Sequence, residues 1–559
     1  MKFNRFNYLM LGLAGLAMTA CSSDEPGGDN TGKKGEERFI GVTIVNSGLG
    51  TMADDTDPNP FPGGYEDGTE AENAVNNARC YFFNPDGSAF TVQPSGESWN
   101  DFVPTSTATP GAEDNNVAYV CEGTVVLTFD ENQQAENKIP AKMVAVLNIP
   151  AGATEFDKPA MSLDDLSALT VKYSETEIAS LVNATGNFFM SNSVYRADDG
   201  TSVVNATEIQ STDIKTSHDL AKESPVSIYV ERMAAKITVD EKTTTFPIYK
   251  YSDKEGENEQ YTFTYTDENG QTKTEQLSVK ILGFAPTKLA ESSYVLKSID
   301  PSWTAEDLGF GWNMPSRHRS FWATSTGSNF WDPFTFADVQ ASGFNAKYCL
   351  ENTTDVADNR TKMLVAAQIV DKDGNAFEIA EWNGARYTVA GLKQYLATHL
   401  ADKLYTKVSD TEYKALDGNS IDFVLKSTEE GSDKYSVKPI LKEGTYYKQT
   451  GENTYETVEV TAYNTALAKS PTMVWKNGLT YYYFDIEHYG TEGKPGQYGV
   501  VRNHVYKYTI DEVFGLGTPV FDPNIKIDPE NPKDKYSYIA AKINILSWHI
   551  VNKNVSLGK

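Results

Sequence analysis

AAKINILSWHIVNKNVSL, Ala540 to Leu557, is the stretch from which the rest of this chain is read. Ile543 and Ile545 alternate with Lys542 and Asn544. Trp548 and Ile550 continue the apolar set after a shift at Leu546, and Val555 and Leu557 follow. This is strand periodicity with one change of face, as a bulge or two strand halves would give. Directly before it runs DPNIKIDPENPKDK, Asp522 to Lys535, where Pro523, Pro529 and Pro532 stiffen the chain and the charges keep it solvated. A long apolar strand on such a tether has two destinations: its own sheet, or another molecule.

The chain has 559 residues, enough for two or three domains. A hydrophobic fraction of 40% with 12% aromatics is ample for buried cores. The net charge of −28 argues against a nucleic-acid partner, because phosphates call for clustered Lys and Arg. It suits an acidic surface that faces the outside. Tyr and Thr are frequent and helical runs are few, so the fold class read from composition is mainly β.

The one long apolar run is N-terminal. Lys2 and Arg5 precede LMLGLAGLAMTA, which stops before Cys21. It is too short to span a membrane and reads as a secretion signal. MTAC resembles the lipobox of bacterial lipoproteins, with Met18 where Leu is usual. That resemblance implies cleavage behind Ala20 and lipidation, with palmitate, of Cys21. The other reading is an ordinary signal peptide with an incidental Cys; the soluble tether that follows at once favours lipidation. Asp24 and Glu25 also look like a surface-export signal of outer-membrane lipoproteins. Of the remaining cysteines, Cys80 and Cys121 lie in strand-like segments and could pair in an oxidising compartment or stay as buried thiols. Cys349 reads as a small core residue.

Taken in order, residues 22–37 form a polar linker. RFIGVTIVNS, Arg38 to Ser47, is a strand with Ile40, Val42 and Ile44 on one face. In the acidic loop from Gly48 to Ala74, Asp55, Asp57, Asn59 and Glu66 have calcium-loop spacing, but Pro60 occupies the place where Gly is needed, so a solvated loop is preferred. Strands follow at ARCYFFN, Val117 and Lys142. Ser162 to Leu181 holds two Ser-initiated helix starts. Gly186 to Ser193 reads as a buried turn of chain. Ser224 to Asp240 is a strand pair (Val226, Ile228 and Val230, then Ile237 and Val239) in which a domain boundary is placed. Asp267-Glu268-Asn269-Gly270 marks a hairpin. Trp303, Trp312, Trp322 and Trp331 sit in an elaborated loop whose aromatics either pack the loop or offer a carbohydrate-binding face. Thr388 to Tyr405 is expected to be one helix, and a hairpin is expected over Gly444 to Tyr463. Asn477-Gly478 is the strongest hairpin signal in the chain.

Catalytic patterns are missing. The six histidines form neither HExxH nor a close ligand pair, and no GxSxG elbow is present. Carboxylates are plentiful but unpatterned, so the reading is of a protein that is not an enzyme and needs no cofactor or metal.

GVVRNHVYKYTI (Gly499 to Ile510), DPNIKIDPENP and the terminal ILSWHIVNKNVSL together resemble the C-terminal region of the shaft fimbrillins, which build the short fimbriae, or type V pili, of Bacteroidales. VERMAAKITV at Val230, YCLENTTD at Tyr348, MVAVLNIP at Met143 and the lipoprotein start extend the match. The resemblance implies two transthyretin-like β-sandwich domains and export as a lipoprotein to the outer membrane. It also implies proteolytic loss of the first strand with its anchor, and filling of the vacated groove by the C-terminal strand of another copy. A strand missing from a sandwich exposes apolar core and unpaired backbone donors, and a head-to-tail contact that does not close makes a filament. Burying about five apolar side chains is worth roughly 8–15 kcal/mol before ordering costs.

Mapped onto this sequence, the signal peptide is 1–20, the linker 21–37, the N-terminal sandwich 38–235, the C-terminal sandwich with its tether 236–535, and the donor strand 536–559. The displaced strand carries Phe39, Ile40, Val42 and Ile44; the donor carries Ile543, Ile545, Trp548, Ile550, Val555 and Leu557. The family's cut follows an Arg between the first two strands, yet no Lys or Arg lies between Arg38 and Arg79. Arg38, just before the strand, and Arg79, abutting the next one, are the possible processing residues; cleavage in the 48–74 loop, cleavage at Arg79 and expulsion without cleavage all stay open. The implied partners are other copies of the chain and other fimbrial subunits. The alternative functions are an anchor or accessory subunit, or a monomeric surface lipoprotein that binds glycans.

Overall fold

The computed structural model describes residues 36–46, 68–107, 119–172, 188–196, 203–240, 243–250, 259–299, 323–327, 330–331, 334–354, 356–427, 435–470, 472–488, 497–527, 538–547 and 550–553. The signal segment with Ala20 and Cys21, the calcium-like loop, the second helix start at Ser174, and Trp303, Trp312 and Trp322 lie outside the described residues. The fold is mainly β, in several sheets with short helices; the longest described helix, Val389–Thr398, has 10 residues.

The first sheet is built from β1 (Glu36–Asn46), β2 (Ala78–Phe83), β3 (Trp99–Phe102), β4 (Thr105–Thr107), β5 (Tyr119–Phe129), β6 (Lys142–Leu147), β7 (Met190–Asn192) and β8 (Val226–Arg232). Their order is β3-β2-β6-β7-β8-β1-β5-β4. The period-2 pattern of these strands sends alternate side chains to opposite faces. On one face Ile40, Val42 and Ile44 of β1 meet Val125 and Leu127 of β5, Cys80 and Phe82 of β2, and Met143 and Ala145 of β6. Strands from both ends of the sheet thus share one core, so the sheet folds over on itself as a sandwich. The opposite face of β2 and β6, with Tyr81, Phe83, Val144 and Val146, packs on Phe156, Leu166 and Phe189. Residues 188–193, expected to be a buried turn, contain β7 instead. It pairs with β6 and β8, which satisfies backbone groups that a buried turn would strand. Phe188, Phe189 and Met190 are buried in the core.

After Arg232 the chain changes sheet across one residue, Met233, and β9 (Ala234–Val239) opens a second assembly. There β9 pairs in parallel with β10 (His504–Phe514) and antiparallel with Lys347–Leu350. The sheet continues through Thr245–Tyr249, Ser278–Thr287, Lys362–Val370 and Leu479–Asp485. A seven-stranded sheet lies over it, and Phe263, Ile379 and Trp475 of that layer share a core with Ile281, Val365, Tyr482 and Tyr506.

Three local expectations are corrected. The helix expected over Thr388 to Tyr405 ends at His399; Leu404–Lys407 is a strand, with Leu404 and Tyr405 opposite Lys448 and Tyr447. Leucines at helical spacing could not show that the last of them belongs to a strand that finds a partner about forty residues on. Asn477 and Gly478 take the left-handed conformation, with φ of 54° and 71°, but they do not make a hairpin. The strand before them, Thr472–Trp475, pairs with Ile379–Trp382, whereas Leu479–Asp485 pairs with Lys362–Val370. The turn therefore carries the chain from one sheet to another. The hairpin at Asp267–Gly270 forms between Thr262–Thr266 and Thr272–Gln276, and that at Glu452-Asn453 between Tyr446–Gly451 and Thr454–Val458. Tyr463, placed in the second hairpin by the sequence, lies in the helix Val460–Leu467.

Candidate functional site

The first strand occupies the middle of its sheet. β1 lies antiparallel to β5 from Glu36 to Asn46 and parallel to β8 from Val42 to Asn46. Opposite Ile40, Val42 and Ile44 on β5 stand Val125, Gly123 and Cys121. Ile40 and Val42 are 0% exposed and Ile44 is 1% exposed. Phe39 points to the other face, half-buried, with its ring edge-on to His218 at 6.5 Å.

That outer face is covered by a strap. Ile214–Lys215 pairs with Ile40 and Phe39, and the short helix His218–Glu223, capped by the Ser217 hydroxyl, follows. The strap rests on Gly41. A Cβ at that position would lie 2.0 Å from the Ala221 carbonyl oxygen and 3.3 Å from Pro225 Cα. Only glycine permits so close a backbone approach.

The C-terminal stretch forms β11 (Tyr538–Ser547) and β12 (Ile550–Lys553). β11 runs antiparallel to the chain's own β10, with Ile543 opposite Tyr508 and Ile545 opposite Tyr506. The change of face read from the sequence coincides with the end of β11, and Ile550 returns on β12 opposite Leu546. A bulge does occur, between Ile510 and Glu512 on the β10 side of the ladder. Trp548, Val555 and Leu557 lie outside the described residues.

The two candidate processing residues occupy different settings. Arg38 is in β1 itself, one residue before Phe39. Arg79 is in β2, hydrogen-bonded on both sides to β3 and β6. Its Nε donates to Asp101 Oδ1 at 2.6 Å and its Nη1 to Asp157 Oδ1 at 2.8 Å, and the guanidinium lies 3.6 Å over the Trp99 ring. Burial alone would lower its pKa; Asp101 and Asp157 outweigh that and raise it.

Where the sheets meet, a buried polar joint ties the two halves, and sequence reading gave no hint of it. Arg232, 0% exposed, donates from Nε to the Glu72 carbonyl at 2.7 Å, from Nη1 to Asn503 Oδ1 at 3.2 Å, and from Nη2 to Asn73 Oδ1. Lys236 Nζ lies 3.0 Å from Glu72 Oε1, to which the Tyr348 hydroxyl also donates. Burial pushes the Glu72 carboxyl up, but the Tyr348 hydroxyl, the Thr69 amide and Lys236 together hold it below its usual value. Nearby, Lys297 Nζ meets Glu231 at 2.7 Å, and Arg502 meets Glu351 at 3.3 Å while donating to Tyr294 O at 2.7 Å. Such charges survive burial only when paired. The helix Glu70–Asn73 brings Glu72 and Asn73 there through a Thr69 capping box.

No disulfide joins Cys80 to Cys121, and Cys349 is buried as expected. Among the described residues, no group of three His, Cys, Asp or Glu could hold a metal, and no helix is long and apolar enough to cross a membrane.

Residues 473–554 match the family described as major fimbrial subunit protein type IV, fimbrillin, C-terminal. No curated protein matches the chain. Among solved structures, the chain is similar to a fimbrilin from Porphyromonas gingivalis W83, with 13% identity over 93% of this chain and 99% of that one and a TM-score of 0.36. The tip fimbrial protein Mfa3 from Porphyromonas gingivalis gives 10% identity over 91% and 100%, with a TM-score of 0.29. A fimbrial assembly protein from Parabacteroides distasonis ATCC 8503 gives 11% over 73% and 97%, also with a TM-score of 0.29.

Proposed function

We propose that the chain is a fimbrillin, a structural and not an enzymatic protein, and that it is a shaft subunit polymerised by donor-strand exchange; the match of residues 473–554 to the fimbrillin C-terminal family supports the first part. On that reading it is part of a cell-surface fimbrium, assembled with other fimbrial subunits. The finer reading is that it is exported as an outer-membrane lipoprotein on Cys21. β1 then leaves, and the C-terminal tail of another copy takes its place. The observation that carries this is the position of β1: one strand, joined to the rest of its sheet only through residues after Asn46, supplies Ile40, Val42 and Ile44 to the centre of the core. Its loss would open a groove with unpaired edges on β5 and β8, the setting for strand addition.

Cleavage at Arg79 fits poorly, because a protease needs an extended chain it can surround, and Arg79 is held in a paired strand. Donation by the residues after Ser547 leaves β11 on β10 and opens only the pairing of β11 with β12. The test is a chain ending at Ser547. We expect it to fold and reach the surface but to form no fibres by electron microscopy. Fibres of normal length from that chain would overturn donation by the tail.

A further inference from the structure

The strap over β1 discriminates between strands. We propose that the segment from Ile214 to Pro225 is a latch that closes only on a strand with glycine at the position of Gly41, so that it holds β1 in the unassembled chain and must lift when the tail of a second copy enters. The inference rests on the exchange reading above.

The contact is between backbones. The Ala221 carbonyl oxygen would lie 2.0 Å, and its carbon 2.7 Å, from any Cβ at residue 41. No rotamer change relieves an overlap with main chain, so either strand or strap has to move. Ala221 is 0% exposed, so the strap has no room to yield without uncovering it. Residues on either side are less demanding: Phe39 and Thr43 are half-buried on the same outer face and carry full side chains.

The tail lacks what the latch requires. From Ala540 to Lys559 the only glycine is Gly558, and with Gly558 in the place of Gly41 its neighbour Lys559 would fall on the core position of Ile40 or Val42. Every register that keeps Lys559 out of the core therefore places a Cβ beneath Ala221. The resident strand fits the closed strap and the incoming strand does not. The strap thereby favours β1 until it has gone, which opposes premature polymerisation during export.

Hydrogen exchange with mass spectrometry tests this on the full unprocessed chain, on Gly41→Ala and Thr43→Ala, and on wild-type fibres. Peptides covering Ile214 to Pro225 should be protected in the unprocessed chain and in Thr43→Ala. They should exchange at least about tenfold faster in Gly41→Ala and in the fibres, a factor that corresponds to about 1.4 kcal/mol of lost protection. Unchanged protection in Gly41→Ala, or fibres as protected as the unprocessed chain, would overturn the latch. The fibre measurement uses wild-type protein and stands even if Gly41→Ala does not fold. The same spectra show whether peptides of residues 36–46 persist in the fibre. If they do, the exchange reading fails, and the Gly41→Ala result still decides whether the strap closes on glycine alone.

Discussion

Ile40→Ala tests the proposed exchange of β1 for the tail of a second copy. In the unprocessed chain Ile40 is 0% exposed and packs within the core shared by β1, β2, β5 and β6. Removing the side chain beyond Cβ from so full a site costs about 2–5 kcal/mol, the transfer and cavity contributions together. Thr43→Ala, on the half-buried outer face, should cost under about 0.5 kcal/mol and serves as the control. Urea unfolding of the unprocessed chain, read at an unchanged slope, gives the first number. Fibres give the second: if β1 is absent from them, their dissociation temperature is the same for Ile40→Ala and wild type. Because a weaker resident strand competes less well, a loss of about 3 kcal/mol also shifts the exchange equilibrium roughly a hundredfold toward the donor. Fibres destabilised as much as the unprocessed chain would refute the reasoning, since Ile40 would then still be in the core.

Four other expectations follow from single sites. Arg232→Ala removes the guanidinium that joins Glu72, Asn73 and Asn503, and should cost about 2–4 kcal/mol and split calorimetric unfolding into two transitions; a single unshifted transition would count against the joint. Gly478→Ala places a Cβ 2.4 Å from the Ile369 carbonyl at a φ of +71°, for an expected loss of about 1–3 kcal/mol by urea unfolding. Burial pushes the Lys347 ammonium down to about 8 from its ordinary 10.5. Between those values the unfolded chain holds a proton that the folded chain releases, so stability should rise with pH by roughly 3 kcal/mol, and Lys347→Met should flatten that rise. The Cys349 thiol, pushed up to about 12 by burial, should be silent to a thiol reagent at pH 8 until the chain unfolds.

Much of the first sheet was legible in the sequence. Alternation at Ile40, Val42 and Ile44, and again at Val226, Ile228 and Val230, names strands whose inner faces are now seen in one core. What failed was pairing. Asn477-Gly478 reads as a hairpin turn; both residues do take the left-handed conformation, but turn chemistry fixes only local backbone and not which sheet receives the next strand. Leu404 was taken into a helix for the same reason: its partner strand, Tyr446–Gly451, is remote in sequence. The polar joint left no signal at all. Arg232, Glu72 and Tyr348 are ordinary residues in ordinary places until the topology gathers them. Nor did Gly41 stand out, because only the arrival of Ala221 overhead gives its missing side chain a meaning.

The joint at Arg232 also bears on how a filament of such subunits would carry load. Glu72 and Asn73 lie downstream of any cut in residues 47–67, so the bonded set would stay whole if the leading strand were lost. A pull applied at the two ends of a subunit would then run along Glu70–Asn73 and through a charged cluster shielded from water. Several hydrogen bonds there would have to break in concert, and the resistance would resemble shear more than unzipping. Flow across the cell surface would stretch the chain of subunits while leaving the angle between the two halves of each one nearly fixed.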